Sequence, residues 1–451
     1  MYNKDDAACK VQDIIPLLPL QRTILFWGLA HPSSFQYYEQ WRYTVTGEIY
    51  TELMRKAWEK TIEHFSILRG IFVWDKVRDP VFVVLKKQNA IFRVYDLQVN
   101  INNSRALSED IARKEWQDRV KLNINPIRLS VTLLSPNKCE WIISTNHILF
   151  DGWSNGLIMS YLVNCYNSLC KKQIVIIEND LLLYKKHLKQ TLDEYNKQEH
   201  KQFWMEYLSD YIEYETNDLK YENSIRNCIC SFPFPDYLLN MIDEFCVANN
   251  CSLSTYLYAA WAIKVSLHSN QRDIIIGATV SGRNNLLPYE MNNLTGLWIQ
   301  TVPIRVNCEN DTFIGDIISS IQNDLLLAEK HMYIHNHDWF GIFPNINTVY
   351  SQMLTIQNYP IDKSINKYTS IKIEFLSSNY QIISAFNVSI KAFDFMKCME
   401  ISYNAKMYNI NQINKFATNF FNLLKYMSVM KSNQKLKNVF EEFYGCFDEI
   451  K

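Results

Sequence analysis

The stretch between Cys139 and Leu169 constrains this chain more than any other, because it must change from one backbone periodicity to another around a single histidine. Cys139 to Thr145 reads Cys-Glu-Trp-Ile-Ile-Ser-Thr, a short β-rich run. Gly156 to Leu169 then repeats apolar residues at helical intervals: Leu157, Ile158, Tyr161, Leu162, Cys165 and Leu169. Between them lies His147-Ile148-Leu149-Phe150-Asp151-Gly152-Trp153-Ser154. His147 therefore stands where a strand ends, followed by a tight Asp-Gly turn and a helix start. Gly152 can take a positive φ or admit a ligand close to the backbone, and Ser154 or Asn155 can cap the helix.

A chain of 451 residues exceeds one simple core and implies two or three domains. Its formal net charge of −1 and pI of about 6.8, with both signs interspersed, argue against a nucleic-acid partner. The N-terminus is polar and acidic. No run approaches the roughly 18 apolar residues of a spanning helix, since Ser254, Thr255 and Lys264 interrupt the longest candidate, Leu253 to Leu267. The expected location is the cytoplasm. Eleven cysteines form no Cys-x-x-Cys pair, which suits reduced, structural thiols. His331, His335 and His337 have partly metal-like spacing, but no second ligand cluster accompanies them. They read as surface or interface histidines, with no metal expected.

Strand and helix patterns alternate throughout, which predicts an α/β, layered α+β architecture. In the first half, strands are expected at Gln40 to Val45, Ile71 to Trp74, Val81 to Leu85, Ile127 to Leu134 and Glu140 to Thr145. Helices are expected at Thr51 to His64 and Ser108 to Lys121. Leu182 to Tyr207 reads as one or two exposed helices. The second half brings strands at Cys228 to Phe232, Asp273 to Val280, Thr301 to Val306, Val349 to Gln357, Ala385 to Lys391 and Cys398 to Tyr403. Its helices are Pro235 to Asn249, Ser254 to Ser269 and Ile410 to Met427. The expected division is one lobe over residues 1–175 and a second over 176–451, with a ligand cleft between them.

An imidazole at a strand end can take a proton from an attacking amine or hydroxyl at neutral pH. The Gly152 amide can donate to a developing oxyanion, an interaction worth about 3–4 kcal/mol in well-built sites. Asp151 can either face His147 or brace the turn, and the residues alone leave both open.

Five ordered motifs make the chain resemble the condensation domains of nonribosomal peptide synthetases along nearly its whole length. Ile15-Pro-Leu-Leu-Pro-Leu-Gln21-Arg22 with His31-Pro32 is similar to the family's opening motif, and Glu63 to Phe72 to its Arg-His-x-x-Leu-Arg-Thr-x-Phe element. Residues 146–154 match His-His-x-x-x-Asp-Gly-x-Ser, with Asn146 in place of the first histidine. Ser281-Gly282-Arg283 with Thr295 to Arg305 match a later pair of motifs, and Gln357-Asn358-Tyr359-Pro360 resembles Glu-Asn-Tyr-Pro.

The resemblance implies two chloramphenicol-acetyltransferase-like lobes in a V-shaped pseudo-dimer with a central tunnel. Donor and acceptor carrier proteins from neighbouring synthetase modules would each deliver an acyl group on a phosphopantetheine arm, with no cofactor intrinsic to the domain. It further implies His147 as general base or amine-positioning group, and a structural salt bridge from Asp151 to Arg283. Asn146, Trp153, Ser154, Gln21 and Asn358 follow as motif or tunnel residues. Ile15 to Pro32, Tyr38-x-Gln40 and Phe72-x-Trp74 look closer to the class accepting a donor that ends in a D-residue. Two other readings use the same residues: a freestanding acyltransferase to a soluble amine or alcohol, and a non-catalytic domain that docks carrier proteins.

Overall fold

The computed structural model describes residues 10–212, 227–283, 286–344, 346, 349, 351–357, 370–381, 385–393 and 396–448. In chain order its main elements begin with β1 (Val11–Pro16), α1 (Pro19–Ala30), β2 (Tyr38–Gly47), α2 (Thr51–His64), β3 (Gly70–Val73), β4 (Val81–Leu85) and β5 (Phe92–Asp96). Next come α3 (Ser104–Gln117), β6 (Ile127–Ser135), β7 (Lys138–Asn146), α4 (Gly152–Cys170), α5 (Leu181–Tyr195), α6 (Gln198–Tyr207), β8 (Asn227–Pro233), α7 (Asp236–Ala248) and α8 (Leu253–Ser269). The chain finishes with β9 (Asp273–Val280), β10 (Gln300–Asn307), α9 (Ile314–Lys330), β11 (Met353–Gln357), β12 (Ile371–Tyr380), β13 (Phe386–Phe393), β14 (Met396–Asn404) and α10 (Ile410–Ser428). The expected mixed α/β architecture is present.

Two compact units divide the chain, and neither is continuous in sequence. The first comprises Met1–Asp193, Asn285–Trp298 and Tyr359–Gln381; the second comprises Glu194–Asn284, Ile299–Asn358 and Ile382–Lys451. A single division near residue 175 therefore differs from the observed units. The first unit recruits β12 from far along the chain because that strand pairs antiparallel with β2 from Ile371↔Gly47 to Tyr380↔Glu39.

In the first unit a five-stranded sheet runs β12-β2-β7-β6-β5, and a three-stranded sheet runs β1-β4-β3. β7 is buried at every position from Cys139 through Asn146, polar residues included, as expected for a strand covered on both faces. α2 buries Met54, Ala57, Trp58, Thr61 and Ile62, spaced three and four apart, and packs along α4. α3 starts and ends four residues before its expected limits. Its end is fixed by Arg128, whose Nη2 donates to the carbonyls of Glu115 at 2.8 Å and Asp118 at 2.6 Å, satisfying the last turn.

In the second unit a six-stranded sheet runs β10-β9-β11-β13-β14-β8, with β11 parallel to both of its neighbours. α8 is buried at every position from Thr255 to Ser266, which makes it the core helix of this unit. Ser252 caps it, its Oγ accepting from the Thr255 amide at 3.0 Å. A buried ion pair, Lys391 Nζ to Glu400 Oε2 at 2.6 Å, bridges β13 and β14. Among the described residues every cysteine is a free thiol, and no helix is long and apolar enough to cross a membrane.

Candidate functional site

The loop from β7 to α4 is fixed at its backbone before any side chain can act. Tyr38 pairs with Asn146 at the end of the β2–β7 ladder, and the His147 amide extends that ladder by donating to the Tyr37 carbonyl at 2.7 Å. Asn146 Oδ1 accepts from the Ile148 amide at 3.0 Å, a local turn that short polar side chains favour. Gln21, buried in α1, donates from Nε2 to the Ile148 carbonyl at 3.0 Å while its Oε1 accepts from the Leu18 amide at 3.0 Å. Ile148, Leu149 and Phe150 are all buried, so the three residues after His147 plug into the core. Asn146 and Gln21, both expected in the motif region, thus act on one residue, Ile148.

Asp151 caps α4, and its carboxylate is wholly buried. Oδ1 accepts from the Ser154 amide at 3.0 Å and from Ser154 Oγ at 2.9 Å; Oδ2 accepts from the Trp298 amide at 3.0 Å. The Asp151 amide donates to the Gly296 carbonyl at 3.1 Å. Ser154 Oγ also lies 2.9 Å from that carbonyl and accepts from the Gly296 amide at 3.0 Å. Gly296 has φ +145°, and a Cβ there would meet the Trp298 indole nitrogen at 2.6 Å, so only glycine fits. The cap is therefore Asp151 rather than Ser154 or Asn155, because the helix begins at Gly152, earlier than the apolar repeat suggested. Gly152 takes the first helical position, where its amide has no intrahelical acceptor. Trp153 anchors the same turn by donating from Nε1 to the Met291 carbonyl at 3.2 Å.

These bonds decide between the two orientations left open for Asp151: its carboxylate braces the turn. The group beside the His147 imidazole is instead Glu39 of β2, whose Oε1 lies 3.3 Å from Nδ1. Glu39 stands opposite Thr145, two positions before His147 on the same face of the sheet, so a long side chain reaches the ring diagonally. The two side chains, His147 and Glu39, are 24% and 19% exposed, buried enough to interact strongly and open enough to be reached. Burial alone would lower the imidazole pKa. Glu39, then Asp151 and the Phe150 backbone, outweigh it and raise the pKa above the ordinary histidine value. A ring so placed can accept a proton from a reacting group and hold the resulting charge.

Glu39 escaped the motif reading because its role depends on the β2–β7 register. The only sequence signal is its position beside Gln40 in the strand-like run. Arg283, implied as the partner of Asp151, belongs to the second unit, where it is buried and donates from its amide to Ser281 Oγ at 3.3 Å. Asn358 lies outside the described residues. His331 stacks on Phe203 with centroids 4.3 Å apart, and His200 places Nδ1 at 3.2 Å from His331 Nδ1 and Nε2 at 3.0 Å from Glu194. Glu194, Glu199 and His200 bring possible ligand atoms within 4.8 Å of one another, but both His200 nitrogens are already engaged by protein.

The chain is 24% identical over 379 residues to surfactin synthase subunit 3 of Bacillus subtilis, covering 82% of this chain and 29% of that protein. It is 23% identical over 418 residues to gramicidin S synthase 2 of Brevibacillus brevis, covering 90% of this chain and 9% of that protein. It thus spans a minor part of the length of these relatives. The first condensation domain of the calcium-dependent antibiotic synthetase, solved with a substrate analogue, superposes with TM-score 0.75 at 13% identity, over 95% of this chain and 99% of that one. VibH, an NRPS condensation enzyme, superposes with TM-score 0.73 at 15% identity, over 91% and 96% of the two chains. The Condensation domain family matches residues 11–440. This chain belongs to the condensation-domain family, whose members form amide bonds in nonribosomal peptide synthesis, and it has their chloramphenicol-acetyltransferase-like fold.

Proposed function

We propose that this chain joins a donor acyl or peptidyl thioester to an acceptor aminoacyl thioester, both held on the phosphopantetheine arms of carrier proteins. His147 is the general base, and the Gly152 amide at the head of α4 donates to the oxyanion that develops on the donor carbonyl. The acceptor nitrogen forms a bond to that carbonyl as its proton passes to His147. The carbon–sulfur bond then breaks, and the proton leaves with the departing thiol. One observation carries the reading: an imidazole with a raised pKa stands partly exposed on backbone that is hydrogen-bonded on both sides of it. Asn146 in place of the motif's first histidine is compatible with catalysis, since it still holds the turn through the Ile148 amide.

The finer assignment is a donor ending in a D-residue, supported by the stretches around Ile15 to Pro32, Tyr38-x-Gln40 and Phe72-x-Trp74. The test supplies the purified chain with donor-loaded and acceptor-loaded carrier proteins and reads the acceptor arm by mass spectrometry. The expected product is an acceptor extended by the donor acyl group, formed faster from D-terminated than from L-terminated donors. Product formed equally well with a free amine or alcohol would establish a soluble-nucleophile acyltransferase instead. Carrier binding without turnover across several substrate pairs would establish a docking domain.

A further inference from the structure

We propose that Glu39 is the positioning residue of this site: its carboxylate orients the His147 ring through Nδ1 and stabilises the charge the ring acquires on taking the amine proton. The inference rests on the reading of His147 as base and adds to it a residue outside the histidine motif. Its geometric ground is the 3.3 Å separation of Glu39 Oε1 from Nδ1, delivered by two adjacent strands in fixed register. Holding Nδ1–H against the carboxylate leaves the Nε2 lone pair to receive a proton.

A second ground is hydrogen-bond capacity. Glu39 Oε2 is buried with no hydrogen-bond partner among the described residues, and His147 Nδ1 is buried without a well-aligned one. Leaving a buried carboxylate oxygen without a donor works against folding, and such exceptions concentrate where a group has chemistry to perform. Asp151, the other carboxylate near the ring, cannot substitute, because both of its oxygens already accept from the 154 and 298 positions.

The charged groups acting on the ring come from two elements, Glu39 from β2 and Asp151 from the head of α4. Tyr43, also on β2, stays neutral. Burial pushes its phenol up to about 12, with the Asn155 hydrogen bond opposing and the Glu39 charge reinforcing that rise.

The test titrates His147 by NMR in the full chain, its ring signal being the one lost in His147→Ala, and compares wild type with Glu39→Gln. The expected result is a His147 titration moved to lower pH. The acid limb of kcat/KM moves in the same direction, and the plateau kcat falls roughly tenfold or more as proton transfer loses efficiency. An unchanged titration midpoint in folded Glu39→Gln overturns the inference. If Glu39→Gln does not fold, Glu39→Asp carries the test: drawing the charge back by one methylene gives a smaller shift of the same sign, and no shift overturns the proposal. Failure of the underlying reading looks different. In that case His147→Ala condenses at the wild-type rate although Glu39→Gln still moves the titration.

Discussion

Among the described residues two carboxylates act on His147, and they are used in opposite ways. Asp151 is wholly enclosed, caps α4, and accepts three hydrogen bonds from Ser154 and Trp298. Glu39 is partly open, meets the imidazole at 3.3 Å, and keeps one buried oxygen without a hydrogen-bond partner among the described residues. A satisfied buried carboxylate holds backbone in place, whereas an under-satisfied one beside a titrating ring is poised to respond when charge changes. The turn that carries His147 is therefore built from closed interactions and the ring itself from open ones.

That contrast breaks most directly at Asp151. Asp151→Ala strands the buried Ser154 and Trp298 amides and empties the cap of α4, and the expected loss of stability is about 3–5 kcal/mol, read from denaturant unfolding. A loss below about 1 kcal/mol would mean the carboxylate does not brace the turn. Gly296→Ala places a methyl at φ +145° against the Trp298 indole, and should cost about 1–3 kcal/mol in the same assay. Gln21→Ala leaves the Ile148 carbonyl and the Leu18 amide without their partner, for about 1–2 kcal/mol. A rate loss larger than this stability loss would show that the clamp also aims His147.

A pH-dependent effect separates two histidines of the first unit by sign. His64, stacked on Tyr161 with centroids 3.9 Å apart, is lowered to about 4, first by burial and then by the Arg69 charge. Between pH 6.5 and 4 the unfolded chain binds more protons at this site, so stability falls as pH falls through that window. His147 has the opposite sign: its raised pKa contributes stability that is full below pH 6.5 and is lost as pH rises through the folded value. His64→Phe should flatten the acidic side of a stability–pH curve and His147→Ala the neutral side. The reverse assignment would contradict both environments.

Much of this is legible from residues alone. α2, β4 and β9 fall on their expected limits, because each carries an uninterrupted periodic or β-branched pattern between clear breaks. The histidine junction is legible for the same reason, since strand and helix periodicities meet there. β12 is not, because Lys372, Glu374, Ser377, Ser378 and Asn379 give it the polar character of an edge strand, and only pairing with β2 makes it one. α9 carries Ile314, Ile317, Ile318 and Ile321 at helical spacing, a pattern that residues alone could have revealed. The Asp151 cap is hidden because the first turn of α4 holds Gly152 and Trp153 rather than continuing the apolar stripe. Glu39 is hidden more deeply, since it meets His147 across strands about a hundred residues apart and no local spacing encodes that register.

The most direct measurement is the single-turnover rate of amide formation between carrier-bound donor and acceptor, for wild type and for His147→Ala shown to be folded by circular dichroism. The variant should lose on the order of 10²–10⁴-fold in rate while keeping its unfolding free energy within about 1 kcal/mol of wild type. A folded His147→Ala chain that condenses at the wild-type rate would contradict the role of His147 as general base.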